Sequence, residues 1–439
     1  MAEGGAGQVT RDSMRKRLAE CAKALLSFEA LFLAYMFAGT YKASALFSLV
    51  PVDMTILMGL LSGLVGMRCM WQRWRRGEWP SRGALVVVGV GLLFFAMPSV
   101  SLLWTPGVLY ARQKALYVLV LNTWGLVGAA LIIGPEPRRL RRFVGLWCVW
   151  VLFLSSAYTL LGVPLGLGNN TRPGLFGSNY QTVGVSLGYG LSILLVVFWC
   201  WSLQWWHRVG LGVLILWMFW VLLENSSRMP LLGSLGVAVL PILIGFRSNG
   251  VRWARSWRGA LTGAIVVAAA GGALVVYRSQ VGGLPTGITR LANVPALIMG
   301  RNPDYRRLLW MKEAFRFWLQ RPVLGHGCGA FPLLLGRSDA RTYPHNIVME
   351  VLCELGLVGI SLLAWLHWAA LRLVGGWRRL LRDRWRMMIV SLFLCTLATA
   401  MVSSDLHGNR PLFMMLGLCS YGATSLGQPE RDPQSREVS

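Results

Sequence analysis

Charge is what this sequence lacks. Only 14% of its 439 residues are charged, and the acids are scarcest, 18 Asp and Glu against 43 Lys and Arg. A soluble globular chain carries roughly 25% charged residues. This chain therefore cannot cover a water-soluble surface of its size, which excludes a soluble enzyme. Ligand-type spacing is missing too. The eight cysteines form no CxxC or CxxxH pattern, which argues against a zinc site or a disulfide framework. Cys148, Cys200, Cys395 and Cys419 lie in apolar runs and read as small buried groups. Disorder is excluded by the 55% of hydrophobic residues. The class that remains is an all-α polytopic membrane protein.

A helix needs about 20 apolar residues to cross a bilayer. Twelve segments meet or approach that: 24–39, 53–70, 84–103, 115–134, 143–163, 182–203, 209–224, 229–246, 260–277, 357–374, 387–404 and 411–427. The first is short and carries Glu29. No signal-peptide cleavage pattern follows the basic N-terminus. Basic runs occupy the even-numbered connections: Arg73, Arg75 and Arg76; Arg138, Arg139, Arg141 and Arg142; Arg247, Arg252, Arg255 and Arg258; Arg378, Arg379, Arg382, Arg384 and Arg386. Short basic loops stay in the cytoplasm, so both termini are expected there. The organisation read from this is a tail at 1–23, spans one to nine over 24–277, one long external loop over 278–356, spans ten to twelve over 357–427, and a polar tail from 428.

The long loop carries ten basic residues up to Arg341 and five acids. A net positive loop above a membrane suggests an anionic partner. Within it, Leu308, Met311, Phe315 and Trp318 share one face of a helix predicted over 306–319, suited to lying on protein or membrane. Gly325, Gly327 and Gly329 mark turns. Pro344 opens a second helical pattern whose apolar face is Ile347, Val348, Val351, Leu352 and Leu355, and Gly356 either ends it or bends it into span ten.

Polar groups near membrane depth are costly and point to function. Four external clusters qualify. Arg112 and Lys114 enter span four, where long side chains can snorkel to the interface or contact an anion. Residues 169–181, NNTRPGLFGSNYQ, hold Arg172 among turn residues. ENSSRMP, 224–230, places Arg228 in a turn too tight to need its polarity, either as an anion ligand or as the partner of Glu224. YPHNIVMEVLCELGLVG, 343–359, places His345 at a helix start, where the positive dipole end disfavours imidazolium and keeps a proton acceptor neutral. Asn346, Glu350 and Glu354 recur every four residues behind it and form a polar stripe. His207 and His367 lie near cytoplasmic span ends. His407 shares a short external turn with Asp405 and Arg410, and His326 lies in the glycine turn.

Taken in order, TRPGLFGSNYQ, SSRMPLLG, RRLLWMKEAFRFWLQRPVLGHGCGAF and PHNIVMEVLCELGLVG resemble the O-antigen ligase and polymerase superfamily of bacterial inner-membrane glycan transferases over roughly residues 24–427. Ser227-Arg228-Met229 stands where many relatives have Ser-Arg-Gly, and Ser178-Asn179 where many have Asn-Pro-Asn. The resemblance implies a GT-C-like helical fold. It also implies action at the periplasmic face without metal, nucleotide sugar or other cofactor, and a glycan donor on undecaprenyl diphosphate. The acceptor is a sugar of lipid A–core for a ligase, or another lipid-linked repeat for an O-antigen or exopolysaccharide polymerase. Membrane lipids are the surrounding partner, and nucleic acid is not expected.

The chemistry fits that expectation. Arginines hold a leaving diphosphate bidentately and stabilise the charge it gains as the glycosidic bond breaks. An inverting single displacement then assigns Arg228, Arg306, Arg172 and Lys114 to the diphosphate and His345 to the acceptor proton, with Asn346 and Glu350 as further substrate contacts. Arg306 is preferred to Arg307 because it lies four residues before Trp310, as in the family's pattern. A transporter of an anionic substrate would also explain many spans and external arginines. Transporters, however, commonly show pseudo-symmetric halves and midplane sites, and neither is visible here. Convergence of His345, Arg228 and Arg306 in one external pocket separates the two readings.

Overall fold

The computed structural model describes residues 23–162, 175–201, 203–225, 227, 229–237, the isolated positions 272, 276 and 280, and 305–422. Among these residues all regular structure is helical. We number the longer helices α1 (Phe28–Met36), α2 (Met54–Arg75), α3 (Arg82–Val100), α4 (Leu109–Ile133), α5 (Pro137–Ala157), α6 (Tyr180–Cys200), α7 (Trp205–Glu224), α8 (Tyr305–Gln320), α9 (Ile347–Val374), α10 (Arg384–Ala400) and α11 (Arg410–Leu418).

Seven of them, α2 to α7 and α9, are long and apolar enough to cross a membrane. They coincide with the expected spans at 53–70, 84–103, 115–134, 143–163, 182–203, 209–224 and 357–374. Of the remaining five, three form shorter helices and two extend into or lie in residues outside those described. The segment 24–39 is broken at 26–27 and then forms the nine-residue α1, capped by Ser27 and followed by a 3-10 turn at Ala38–Thr40. Its Glu29 is buried and paired with Arg139 at 2.9 Å, which explains how a carboxylate is tolerated there. α10 has 17 residues and α11 nine. The segment 229–246 is helical from 229 to 237, where description ends, and 260–277 lies almost wholly outside the described residues.

The helix ends follow local chemistry. Asp53, Ser81, Asn179, Asn346 and Asp383 each accept a backbone N–H at an N-terminus. The N-terminus of α4 is capped from far along the chain, with Asp339 accepting from Val108 N at 2.9 Å and Leu109 N at 2.7 Å. α4 also contains two π turns, Val118–Asn122 and Gly128–Ile133. The first sets the buried Asn122 where its Nδ2 donates to Leu406 O at 3.0 Å. The core lies between α9 and α3, between α6 and both α10 and α7, and between α11 and α4.

The helix predicted over 306–319 is α8, and it packs on α9. The second loop helix and span ten are one element, α9, bent at Gly356 (φ 63°, ψ −157°). That bend opens the backbone ladder, and the glycine-rich turn closes it again. His326 N and Gly327 N donate to Cys353 O and Glu354 O at 2.9 and 2.8 Å, while Leu357 N and Val358 N donate to Pro322 O and Val323 O at 2.8 and 3.2 Å. A Cβ on Gly356 would stand 2.3 Å from Val323 O, and one on Gly325 2.5 Å from the Glu354 carbonyl carbon. Both positions therefore need glycine for space as well as for φ. The loop is tied to α3 as well, since Cys328 N donates to Ser101 Oγ at 2.8 Å.

Candidate functional site

His345 sits in the short turn between Arg341 and the N-terminus of α9. Its backbone takes φ +60°, one of three non-glycine residues in that region among those described. Two aromatic rings hold it: Trp310 of α8, stacked at 5.7 Å between centroids and 6°, and Tyr343 at 4.3 Å. Half-burial, then the charges of Arg307 and Arg341, lower its pKa to about 4 against the opposing pull of Asp405. The imidazole is thus neutral at physiological pH and able to take a proton. The helix start read from the sequence is present, and burial and arginine charge disfavour the imidazolium there.

The turn is clamped to the loop between α10 and α11. Arg341 makes a two-pronged pair with Asp405, Nε to Oδ2 at 2.9 Å and Nη2 to Oδ1 at 3.0 Å, and lies over the Tyr343 ring at 5.4 Å. Asp405 is fully buried. Burial alone would raise its pKa, but His407 and Arg341 beside it hold it well below the usual carboxylate range. Tyr110 donates to the same carboxylate at 3.3 Å. Burial and the Asp405 charge push the Tyr343 hydroxyl up to about 12, so it stays a donor. Asn346 ties the turn down once more, its Nδ2 donating to Met401 O at 2.9 Å and its Oδ1 accepting from Met349 N at 3.0 Å.

Several expected ligands have other places. Lys114, expected at the diphosphate, is fully buried, with its ammonium 2.5 Å from Glu350 and 2.6 Å from Glu354. Its ammonium is thus already paired with two buried carboxylates. Glu350, expected to meet substrate, is also fully buried, and it accepts from Leu406 N at 3.1 Å besides pairing with Lys114. Asn346 is occupied as cap and clamp. The Asn346–Glu350–Glu354 stripe therefore faces inward and joins α9 to α4 and to the 401–406 segment. Arg306 is exposed, whereas Arg307 is the α8 arginine whose charge reaches His345 and Tyr343. Arg228 and Arg172 lie outside the described residues. Their neighbours meet: Ser227 Oγ is 2.6 Å from Asn225 Oδ1 and 3.3 Å from Tyr180 O, so the turn after α7 abuts the start of α6. His326 is 2.8 Å from Phe317 O, a contact within the loop.

Three participants were not singled out by sequence reasoning: Trp310 as a stacking partner, Tyr343, and the Arg341–Asp405 clamp. The available signal was an acid and a basic residue flanking short external turns. Their sixty-four-residue separation in sequence gave no reason to pair them.

Residues 213–364 match the family model described as O-antigen ligase. The matched stretch contains the second half of α7, the turn carrying Ser227, α8, the glycine-rich turn, His345 and the bend of α9. No curated protein matches the chain. A polytopic helical protein with its basic loop helix stacked on a neutral histidine thus matches the O-antigen ligase family over residues 213–364, and that region supports its kinship with the O-antigen ligase and polymerase superfamily.

Proposed function

We propose that this protein transfers a glycan from undecaprenyl diphosphate to a sugar hydroxyl of lipid A–core, at the periplasmic face of the bacterial inner membrane, by a single inverting displacement. The observation that carries the reading is His345. It is a neutral imidazole in a strained, clamped turn, stacked on the helix that brings Arg306 and Arg307. Non-glycine residues in left-handed backbone cluster at functional sites because the surrounding structure must hold them there.

In this mechanism the acceptor oxygen attacks the anomeric carbon, and the bond from that carbon to the diphosphate oxygen breaks. His345 takes the acceptor proton. Arg228, Arg172 and the α8 arginines, with Arg307 joining Arg306, hold the diphosphate as it gains charge. A free imidazole with a pKa of about 4 would be a weak base. The bound donor corrects this, because its negative charges offset those of the arginines and raise the imidazole towards neutrality. Donor binding would thereby strengthen the base. Asn346 and the Lys114–Glu350–Glu354 cluster act behind it, by fixing the turn and α9.

The test is transfer of a purified lipid-linked glycan to lipid A–core in liposomes, with donor binding followed in parallel. General-base catalysis contributes about 10²–10⁴-fold, so His345→Ala and His345→Gln should each lose turnover on that order while still binding donor. Full activity in His345→Gln would reduce His345 to a positioning group. Running the same assay with a lipid-linked repeat as acceptor separates ligase from polymerase.

A further inference from the structure

α8 carries two apolar stripes, and among the described residues only one is packed into a protein core. Trp310, Ala314 and Phe317 pack with Phe331, Met349 and Cys353. The neighbouring stripe, Met311, Phe315 and Leu319, runs at i, i+4, i+8 and points away, with Phe315 43% and Leu319 58% exposed. It continues through the exposed Val323 and Leu324. The backbone bonds of Leu357 N to Pro322 O and Val358 N to Val323 O then set this strip beside Leu357 and Val358, the first outward residues of α9 below its bend. The outer stripe of α8 is therefore continuous with the lipid-facing surface of a membrane-spanning helix.

Its charges are mostly basic. Lys312 and Arg316 line an open groove of 370 Å³ between α8 and the start of α9, together with Met311, Phe315, Asn346 and Met349. Arg321 follows and is exposed. The nearby acid Glu313 is taken up by Arg316 at 2.8 Å. An apolar strip bordered by basic side chains, at the level where a spanning helix emerges, suits an anionic headgroup layer.

We propose that α8 is seated in the headgroup layer of the bilayer by this second stripe, with Lys312, Arg316 and Arg321 against anionic lipid phosphates. We further propose that the seating sets where Trp310 and Arg307 stand at His345. The first half rests on the membrane-spanning reading of α9, and only the second on the proposed chemistry.

The experiment uses the full chain in nanodiscs of phosphatidylcholine alone or mixed with phosphatidylglycerol. Amide exchange over 305–320 should be slower in the anionic discs. Each basic residue near such a surface is worth roughly fivefold in the seating equilibrium, so the triple variant Lys312→Gln, Arg316→Gln, Arg321→Gln should erase the lipid difference. Equal exchange of the wild type in both discs would overturn the proposal. Independently, Phe315→benzoylphenylalanine in the otherwise native chain should photocrosslink to lipid, whereas adducts confined to polypeptide would mean a protein covers this face. Neither readout needs transfer to occur, so failure of the enzymatic reading leaves them interpretable. If transfer is present but insensitive to phosphatidylglycerol while exchange responds, the coupling to His345 is refuted and the seating stands.

Discussion

His345 pairs a backbone conformation that side chains avoid with an environment that disfavours its charge. The sign of the resulting pH effect is fixed. Because the pKa is lowered to about 4 from the ordinary 6.5, the free enzyme keeps its base form throughout mildly acidic pH and loses it only as pH falls through about 4. The acidic limb of kcat/KM, which reports the free enzyme, should therefore lie well below the ordinary histidine value, and that of kcat higher because bound donor raises the imidazole. An acidic limb of kcat/KM at about 6.5 would count against His345 as the base. Removing Arg307 by Arg307→Gln should move that limb upward, since its charge is the largest cause after burial.

At the scale of elements, the bend of α9 is the joint that brings the site to the spanning helices. The open carbonyls at Cys353 and Glu354 and the open N–H groups at Leu357 and Val358 all find partners in residues 322–327. The bend is thus hydrogen-bonded throughout rather than left open. Gly356→Ala meets both an unfavourable backbone and a 2.3 Å approach to Val323 O. The backbone alone costs on the order of 1–3 kcal/mol. Thermal unfolding in detergent should show a clear loss of stability, and amide protection at 322–327 should fall with it; an unchanged melting temperature would mean the bend is not required. α8 teaches a related point. Its period allowed a face at Leu308, Met311, Phe315 and Trp318, yet the protein-facing residues are Trp310, Ala314 and Phe317. A short helix with apolar side chains around most of its circumference does not say which stripe meets protein and which meets lipid.

For the whole molecule, the placement of basic connections makes the strongest prediction. Arg139 at the start of α5 pairs with Glu29, and Arg73 near the end of α2 donates to Leu131 O at 2.7 Å, so one end of these spans is bound by arginine contacts. The site lies at the start of α9, on the side where Asp339 caps α4. A membrane-impermeant thiol reagent applied to intact cells should modify a cysteine placed at Ser338 and spare one placed at Ser248. Equal labelling of the two would contradict a long external loop with basic connections inside.

Composition and periodicity alone pointed to a helical membrane protein and to the seven candidate spans found among the described residues. Burying backbone in lipid leaves helices as the answer for long apolar runs, and an imidazole at a helix start is visible locally. Tertiary structure alone decided the partners. Lys114 looked like an interfacial cation until α4 and α9 came together and gave it Glu350 and Glu354. Arg341 and Asp405 meet only because α10 returns the chain to the site end of α9. Charge pairing and aromatic stacking act over a few ångströms, between residues that the sequence keeps far apart, so a linear pattern can name the groups but not who holds whom.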